Sequence, residues 1–473
     1  MVGSRLYHGG SRAVKAASEP ILFRIRAARS LSREGRKFRL SAEKSSERRA
    51  RLESSSRAAL ASANYWSSSE NSSNTNKAWK QNFNNGNQNN NNKNNSNYAR
   101  AIRKQMLDIE PEELFYAYFD CRSGKRNTHN AAFFEENLEK NLMGLYRELV
   151  SGDYTPGRSI CFAIGKPKLR EIWAADFKDR IVQTLLYNRY RETFHRAFIY
   201  DSYACIPGKG TLRAGERLET FVRKATGGYA KDAWFLKADV ANFFVGINKT
   251  ILFEILKRKI AEGPWRDLCK TIIFKDPREG VLIKGNKKLL ASVPRRKSLY
   301  HTDENFGLPV GNLTSQFFAN IYLNELDQFV KHGLKRKYYV RYVDDLVILG
   351  EGPEELNDCY AKINFFLQKN LGLHLHENKK ELNKTAVGIN FVGYIIKHHR
   401  KYARRMTMAN LNSKLEAMLQ SGSLTERDVA VINSYLGLLR QVSGYNKRKG
   451  LKMRLQSIGV ELDSDLTKVI FRP

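Results

Sequence analysis

Cysteine is scarce in this sequence, and long hydrophobic runs are missing from it. Five cysteines are spread over 473 residues without a CxxC pair or a Cys/His cluster, so neither a disulfide scaffold nor a structural zinc site is indicated. No apolar run approaches the roughly 20 residues that a membrane-spanning helix needs. The apolar stretch PILF near the N-terminus is too short for a secretory signal. We therefore expect a cytoplasmic protein that has no membrane partner.

Acidic residues are also few compared with basic ones. The chain has 81 Lys and Arg against 48 Asp and Glu, a formal net charge of +33. Residues 1–105 contain 21 basic and 6 acidic residues, a net of +15, and the remaining 60 basic and 42 acidic residues leave +18. A basic excess spread over the folded part favours a polyanionic partner, nucleic acid before membrane. Simple solubility is the alternative explanation.

Three zones of different composition follow one another along the chain. Residues 1–63 are rich in Arg and Ser and have no sustained helical or strand period, so we predict that they do not fold alone. In the stretch 64–97, 15 of 34 residues are Asn. From Met106 onward the segment MLDIEPEELFYAYF predicts an amphipathic helix, and helices and strands then alternate. We predict disorder over 1–105 and two or three domains of an α+β fold overall.

The strongest motif is KYYVRYVDDLVILG, residues 337–350. Two β-rich apolar runs flank adjacent carboxylates, which predicts a hairpin with Asp344 and Asp345 at its tip. One Asp buried beside another is electrostatically costly without a cation, so the pair favours a divalent metal site. The alternative is an ordinary Asp-Asp turn between strands.

A third carboxylate is expected from the apolar strand in FLKADVANFFVGIN, residues 235–248. This strand ends at Asp239, and bringing Asp239 beside Asp344 and Asp345 would complete a site for two Mg²⁺ ions roughly 4 Å apart, with Mn²⁺ as a second candidate ion. Two such ions can activate a 3′-hydroxyl and stabilise a leaving pyrophosphate.

In order and spacing, these two motifs resemble the metal-binding motifs of the reverse transcriptase palm. The resemblance implies that Asp239, Asp344 and Asp345 are catalytic and bind metal, with Val240 as a further metal ligand. It also implies that Phe244 is the steric gate against a ribose 2′-hydroxyl, although a core aromatic is the alternative role. The implied fold is a right-hand polymerase with an antiparallel palm sheet: fingers over 106–230, palm over 231–398 and thumb over 399–473.

Upstream motifs extend the resemblance. AIGKPKLREIWAADFKDRIVQTLLYN (163–188) is similar to the fingers segment of reverse transcriptases, which grips the incoming triphosphate. The resemblance assigns Arg170 to this contact, with Lys166 and Lys168 beside it, and the planar guanidinium of Arg can bind phosphate oxygens bidentately. A solvated basic strand is the alternative. DSYACIPGKGTLRA (201–214) resembles the segment that contacts template and nucleotide.

The segment GLPVGNLTSQFFANIYLNELD, residues 307–327, resembles the turn and helix under the nascent base pair. Many reverse transcriptases have Gln at the position of Val310 and Pro at that of Gln316, whereas the form VGNLTSQ is seen in diversity-generating retroelements. The resemblance places Val310, Gly311 and Gln316 at the deoxynucleotide. Loss of a side-chain amide deletes hydrogen bonds that discriminate substrates, and in that family the permissiveness falls on template adenines.

Downstream, LGLHLHENKKEL (371–382) resembles the palm motif that supplies a lysine near the triphosphate. Lys379 is the candidate and Lys380 the alternative. VGINFVGYII (387–396) is similar to the strands that grip the primer. The basic segment 277–306 is left as either a template RNA contact or a solvated loop.

The Asn-rich tract resembles the translated template repeat of a diversity-generating retroelement. Asn codons concentrate adenines at the first two positions, and YWSSSE and RAIR look like the fixed frame of a variable domain. We expect the template repeat at about 64–105, read-through in 1–63, and a natural start at Met106. A disordered RNA-binding arm is the alternative.

The predicted function is RNA-directed DNA polymerisation that copies a template-repeat RNA into adenine-mutagenised cDNA to diversify a target gene. The partners expected from the resemblance are template RNA, primer, cDNA, deoxynucleotides and a basic oligomeric accessory protein. A group II intron, retron or antiviral-defence reverse transcriptase is one alternative. A non-catalytic RNA-binding protein on a polymerase fold is another, although the three intact carboxylates argue against it.

Overall fold

A computed structural model describes residues 106–123, 128–166, 168–422 and 424–470, together with the backbone of four strands that precede them. One unit of the fold runs up to Thr155 and includes Glu262–Leu268. The other comprises Pro156–Ala261 and the chain from Cys269 onward. The prediction for residues 1–63 falls outside the described residues.

Four strands lie within the Asn-rich tract: β1 (Asn64–Asn71), β2 (Asn74–Asn82), β3 (Gln88–Asn92) and β4 (Tyr98–Ala99). They form one sheet in the order β3-β2-β1-β4, in which β1 is antiparallel to β2 and parallel to β4. In these four strands the structure differs from the predicted disorder. Backbone N–H and C=O groups pair between strands whatever the side chains, and β1 and β2 each contain a tryptophan, a residue type that favours strands.

Three described helices lie wholly within the first unit: α1 (Pro111–Arg122), α2 (His129–Glu135) and α3 (Leu138–Ser151). The first of them confirms the amphipathic helix that the sequence predicts after Met106. Pro111 occupies the first helical turn of α1 together with two glutamates, the residue types that suit a helix N-terminus. Leu114 and Tyr118 of α1, and Leu142 and Tyr146 of α3, are buried.

The second unit contains most of the elements. Its strands are β5 (Ile160–Ile164), β6 (Arg170–Ala174), β7 (Trp234–Asp239), β8 (Leu282–Ile283), β9 (Tyr339–Tyr342), β10 (Asp345–Gly350), β11 (Glu381–Lys384), β12 (Ile389–Phe391), β13 (Tyr394–Lys397), β14 (Arg400–Ala403), β15 (Glu461–Leu462) and β16 (Val469–Ile470). Its helices are α4 (Phe177–His195), α5 (Thr211–Ala225), α6 (Phe243–Gly246), α7 (Lys249–Lys257), α9 (Lys287–Ala291), α10 (Leu313–Gln328), α11 (Pro353–Phe366), α12 (Arg405–Ser421), α13 (Glu426–Arg440) and α14 (Tyr445–Gln456). Helix α8 (Pro264–Phe274) begins among the residues of the first unit.

The central sheet of this unit has the strand order β11-β7-β10-β9, and every neighbouring pair is antiparallel. Side chains alternate between the two faces of a strand. Phe235, Val347 and Leu349 therefore share one face, where they pack with Leu218 and Phe221 of α5. Helix α11 contacts β7 and β10 as well. The mixed helix and sheet confirm the α+β class, whereas the assignment of fingers, palm and thumb stays a prediction.

Three smaller sheets complete the second unit. Strands β5, β6 and β8 form a sheet in the order β6-β5-β8, strands β12, β13 and β14 form another, and β15 pairs with β16. Helices α12, α13 and α14 pack around a cluster of leucines that includes Leu415, Leu436 and Leu455. Among the residues that the structure describes, no helix is long and apolar enough to span a membrane.

Candidate active site

The Asp pair lies at a tight hairpin turn. Strands β9 and β10 are antiparallel with Tyr342 opposite Asp345, so only Val343 and Asp344 form the turn. Val343 has φ 56°, a left-handed conformation that is strained for a β-branched residue. The guanidinium of Arg341 donates a hydrogen bond of 2.8 Å to the carbonyl of Val343. The predicted hairpin is confirmed, and a buried side chain holds its turn.

Asp239 lies beside this hairpin because β7 and β10 are neighbouring strands. Asp239, the last residue of β7, is the register partner of Asp345, the first residue of β10. The backbone N–H of Val240 donates to the carbonyl of Asp344 at 3.3 Å. The three carboxylates that the sequence singles out therefore meet at one edge of the central sheet.

The carboxylates at this edge affect one another electrostatically. Burial, followed by the negative charges of Asp239 and Asp345, raises the pKa of Asp344 to about 7. Burial also raises the pKa of Asp345, and Lys237 opposes that shift. Like charges held together in a half-buried site favour the protonated form, and a nearby cation reverses this preference. The edge is therefore suited to bind positive charge.

Lys379 forms an ion pair with a carboxylate at this edge. Its ammonium group forms an ion pair with Oδ2 of Asp239. The chain just before Lys379 is fixed to β7 by a hydrogen bond of 2.7 Å from the backbone N–H of His376 to the carbonyl of Asp239. Lys380 instead donates to Oδ1 of Asn357 at 2.6 Å and lies over the ring of Tyr360. Lys379, the candidate named from the sequence, is therefore the lysine that contacts a carboxylate of this edge, whereas the alternative Lys380 contacts Asn357.

The residue types at this edge suit a hard divalent cation, since carboxylate oxygens are the ligands that Mg²⁺ prefers. In the described part of the chain, however, no group of three or more His, Cys, Asp or Glu side chains is arranged as a metal site. One oxygen of Asp239 is paired with Lys379 instead. The donor set fits a divalent cation, and the Lys379–Asp239 pair is the contact that such an ion would replace.

A buried ion pair supports the hairpin from inside the unit, and sequence reasoning missed it. Arg341 on β9 donates to both carboxylate oxygens of Asp327 on α10, at 2.8 and 2.6 Å, and the two side chains are only 1% and 0% exposed. Tyr339 donates its hydroxyl to Asp327 Oδ1 at 2.7 Å. The guanidinium also donates to Asn320 Oδ1 at 3.3 Å and to Ser202 Oγ at 3.1 Å. The sequence feature that could have indicated this buried pair is an arginine inside the otherwise apolar strand β9.

The basic residues predicted to grip the triphosphate lie on the β5–β6 hairpin. These strands are antiparallel, with Ile164 opposite Arg170. Lys166 and Lys168 lie in the connection and Arg170 begins β6, and all three side chains are exposed. Their placement leaves their positive charges accessible to a ligand.

The Gly/Pro turn that precedes α10 is attached directly to β6. The carbonyl of Val310 accepts a hydrogen bond of 2.8 Å from the backbone N–H of Trp173. Asn312 accepts another, of 3.0 Å, from the N–H of Ala175. Gly311 has φ 134°, and a Cβ added there would lie 2.7 Å from the carbonyl oxygen of Trp173. Glycine is required here by both the backbone conformation and the close approach.

Phe244 is hydrogen-bonded to the start of this turn, and Gln316 follows the turn in the chain. Phe244, on α6 just after β7, is half-buried, and its carbonyl accepts a hydrogen bond of 2.8 Å from the N–H of Leu308. Gln316 is exposed in the first turn of α10, and its Oε1 accepts a hydrogen bond of 3.3 Å from the thiol of Cys205. The turn that carries Val310 is thus connected by hydrogen bonds to β6 and to Phe244, which follows the strand that carries Asp239.

Comparison with known proteins assigns this region to a class. Residues 164–396 match the family described as reverse transcriptase (RNA-dependent DNA polymerase). This segment, a reverse transcriptase domain, includes the three carboxylates and every residue that the sequence predicts to contact the nucleotide.

Two curated relatives of the chain are intron-encoded proteins. The chain is 23% identical over 301 residues to the putative COX1/OXI3 intron 2 protein of Saccharomyces cerevisiae. This match covers 52% of this chain and 32% of that protein. It is 22% identical over 389 residues to the group II intron-encoded protein LtrA of Lactococcus lactis subsp. cremoris, covering 66% of this chain and 60% of that protein. The chain therefore spans less than two thirds of the length of either relative.

A solved structure of apo telomerase from Candida tropicalis, truncated from its C-terminal domain, is also similar. Its TM-score is 0.38 at 15% sequence identity, and the match covers 52% of this chain and 55% of that one.

Proposed function

We propose that the whole chain is an RNA-directed DNA polymerase that copies a template-repeat RNA into adenine-mutagenised cDNA. The observation that carries the polymerase activity is the meeting of Asp239, Asp344 and Asp345 at one sheet edge inside a reverse transcriptase domain. We further propose that the domain is arranged as fingers (106–230), palm (231–398) and thumb (399–473).

The reaction is an in-line transfer of a deoxynucleotide to a primer 3′-hydroxyl, with pyrophosphate as the leaving group. Asp239, Asp344, Asp345 and the carbonyl of Val240 would hold Mg²⁺, which supplies positive charge for the attacking and leaving oxygens. Positioning and electrostatics account for most catalysis of this kind. Lys379, which contacts Asp239 in the described structure, would exchange this carboxylate for an oxygen of the triphosphate.

Exposed cations on the β5–β6 hairpin would bind the incoming triphosphate. Arg170 offers a planar fork of donors to phosphate oxygens, and Lys166 and Lys168 add positive charge. Phe244 would exclude a ribose 2′-hydroxyl by occupying its space. Its backbone bond to Leu308 supports this role, because it fixes the backbone of Phe244 next to the turn that carries Val310 and Gly311.

Two features support diversification as the purpose of this synthesis. Val310 and Gln316 give the VGNLTSQ form seen in diversity-generating retroelements, and Val310 offers no side-chain hydrogen bond to the nucleotide. The Asn-rich tract 64–105 would be the translated template repeat. A basic accessory protein that oligomerises is a further expected partner.

A second candidate function is that of a group II intron reverse transcriptase. The observation that favours it is the similarity to LtrA, which its name describes as a group II intron-encoded protein. Substitutions opposite template adenines distinguish the two functions, because we expect them from the diversifying polymerase and not from a group II intron reverse transcriptase.

The deciding experiment is to sequence the cDNA that the purified protein makes. The protein would be given Mg²⁺, four deoxynucleotides, its accessory partner and an RNA that encodes residues 64–105. We expect DNA with substitutions concentrated opposite template adenines. Faithful DNA would retain the polymerase activity and refute diversification, and no DNA from any RNA template would refute the polymerase itself.

A further inference from the structure

A strongly basic segment lies between Asp239 and the Gly/Pro turn, outside the proposed catalytic contacts. The basic segment, residues 284–297, reads KGNKKLLASVPRRK and contains six Lys and Arg residues without one acid. All six side chains are exposed, and none forms an ion pair with a residue that the structure describes. A surface of one charge without internal compensation is suited to bind an ion of opposite charge.

Both ends of the basic segment are fixed to the β5–β6 sheet. Strand β8 is parallel to β5, and the N–H of Lys284 donates to the carbonyl of Cys161 at 2.9 Å. At the other end, Glu171 of β6 accepts hydrogen bonds from Ser298 Oγ at 2.5 Å and from the N–H of Leu299 at 2.8 Å. Glu171 is only 5% exposed. Attachment at both ends distinguishes this segment from a freely solvated loop.

The same sheet carries the cations predicted to bind the triphosphate. Lys166, Lys168 and Arg170 lie on the β5–β6 hairpin, and a Cβ added to Gly165 of that hairpin would lie 3.7 Å from the side chain of Leu289 in the basic segment. The one acid in 165–171 is Glu171, whose oxygens face Ser298, Leu299 and Trp173 rather than solvent. The six cations of the basic segment therefore lie beside the three cations of the hairpin, and the one carboxylate in 165–171 is buried.

Side-chain composition determines what such a surface recognises. The basic segment contains no aromatic residue, so it offers no platform on which a base can stack. Lys and Arg bind phosphate oxygens independently of sequence. A ligand that fits the six cations of the basic segment, which offers no stacking residue, is a nucleic-acid backbone.

We propose that the basic segment forms a phosphate-binding surface for the template RNA strand, beside the β5–β6 hairpin whose cations bind the triphosphate. The proposal rests on the proposed function, because it takes RNA as the template. The surface binds the backbone of the strand and does not read its bases. Affinity from this surface is therefore strongly salt-dependent and the same for different sequences.

Two triple variants test the surface from its two ends: K284Q/K287Q/K288Q and R295Q/R296Q/K297Q. Glutamine keeps the length of the side chain and removes its charge. The matched control is K224Q/K259Q/K270Q, which removes three exposed positive charges elsewhere in the same unit. Thermal melting of all four proteins verifies that each is folded before binding is compared.

Binding of a fluorescently labelled single-stranded RNA is measured over a series of salt concentrations. Each lost phosphate contact makes the slope of log K against log salt shallower by about 0.7, so each segment variant should lose about 2 from the slope. The control variant should keep the wild-type slope. Polyuridine and polycytidine should give the same loss, since no base is read.

Slopes of both segment variants equal to that of the control would overturn the proposal. A loss confined to one RNA sequence would overturn it too, because it would mean base recognition. Sequencing of cDNA from the same proteins separates this outcome from failure of the proposed function. Altered slopes with faithful cDNA would refute diversification and keep the surface, whereas unaltered slopes with adenine-mutated cDNA would refute the surface alone.

Discussion

The carboxylate edge of the central sheet and the β5–β6 hairpin carry charges of opposite sign in different surroundings. At the edge, the fully buried Arg341–Asp327 pair fixes the turn that carries Asp344. On the hairpin, Lys166, Lys168 and Arg170 extend into solvent. The carboxylates, which must hold a fixed geometry, are thus supported by buried hydrogen bonds. The hairpin cations, which must bind a mobile polyanion, stay hydrated until it binds.

The largest effect should follow removal of negative charge at the edge. In Asp344→Asn with Asp345→Asn, we expect DNA synthesis to fall by at least about 10³-fold, because the electrostatic stabilisation of the reaction is lost. RNA binding, which depends on the basic surfaces, should persist. Primer extension and RNA binding would be measured on the same preparation. Synthesis at the wild-type rate would refute the role of the pair.

The second prediction tests the buried support of the edge. Arg341→Met leaves the carboxylate of Asp327 buried without its partner, so the free energy of unfolding should fall by about 3–5 kcal/mol. Denaturant unfolding measures this loss. Adding Asp327→Leu should recover much of the stability, since no unpaired charge is left in the core.

The activity of the Arg341→Met, Asp327→Leu double variant shows whether the ion pair also holds the hairpin turn for catalysis or contributes only to the stability of the fold. The carbonyl of Val343 would still lack the hydrogen bond from Arg341. We therefore expect a lower kcat with little change in KM for the deoxynucleotide. A double variant with wild-type kcat would show that the ion pair contributes stability alone.

The third prediction concerns the exposed cations of the β5–β6 hairpin. Arg170→Gln removes a charged donor to phosphate, a contact worth about 1.5–3 kcal/mol, so KM for deoxynucleotides should rise by roughly 10- to 100-fold. The unfolding free energy should stay unchanged because the side chain is exposed. Lys224→Gln is the matched control, and an equal KM in both variants would contradict the assignment.

The smallest expected effect is a pH dependence at the edge. In the fold without divalent cation, the raised pKa of Asp344, about 7, means that stability is lost as pH rises from the unfolded-state value toward 7. Mg²⁺ binds the ionised carboxylates and offsets this loss. The increase in Tm caused by Mg²⁺ should therefore be larger at about pH 8 than at about pH 5.5.

A control variant makes this pH prediction specific. Asp358→Asn removes an exposed carboxylate that pairs with Lys362, outside the edge, and should keep the pH dependence. Asp344→Asn should make the increase in Tm caused by Mg²⁺ nearly independent of pH. Equal Mg²⁺ effects at both pH values in the wild type would contradict the arrangement.

Several parts of this comparison follow from the sequence because they depend on local patterns. A strand-turn-strand pattern around two aspartates predicts the hairpin, and an apolar strand that ends in Asp239 supplies its neighbour. The Arg341–Asp327 pair could not be predicted in this way. Its two residues are 14 positions apart, on a strand and a helix, and only the packing of α10 against the sheet determines that both are buried.

The family resemblance names Lys379 as the candidate and Lys380 as the alternative, but local sequence reasoning does not show which of them contacts Asp239. The two lysines are adjacent, and the short turn Glu377–Lys379 determines which of them points to Asp239. The strands within the Asn-rich tract were missed for a different reason. Composition indicates whether a segment can bury apolar surface, but backbone pairing between strands does not require it.

Binding of Mn²⁺, followed by electron paramagnetic resonance, tests most directly whether Asp239, Asp344 and Asp345 form one cation site. The wild type should bind Mn²⁺, and Asp345→Asn should bind it much more weakly, while Asp358→Asn should resemble the wild type. Equal binding by all three proteins would contradict the account, because the carboxylate edge would then not be where the cation binds.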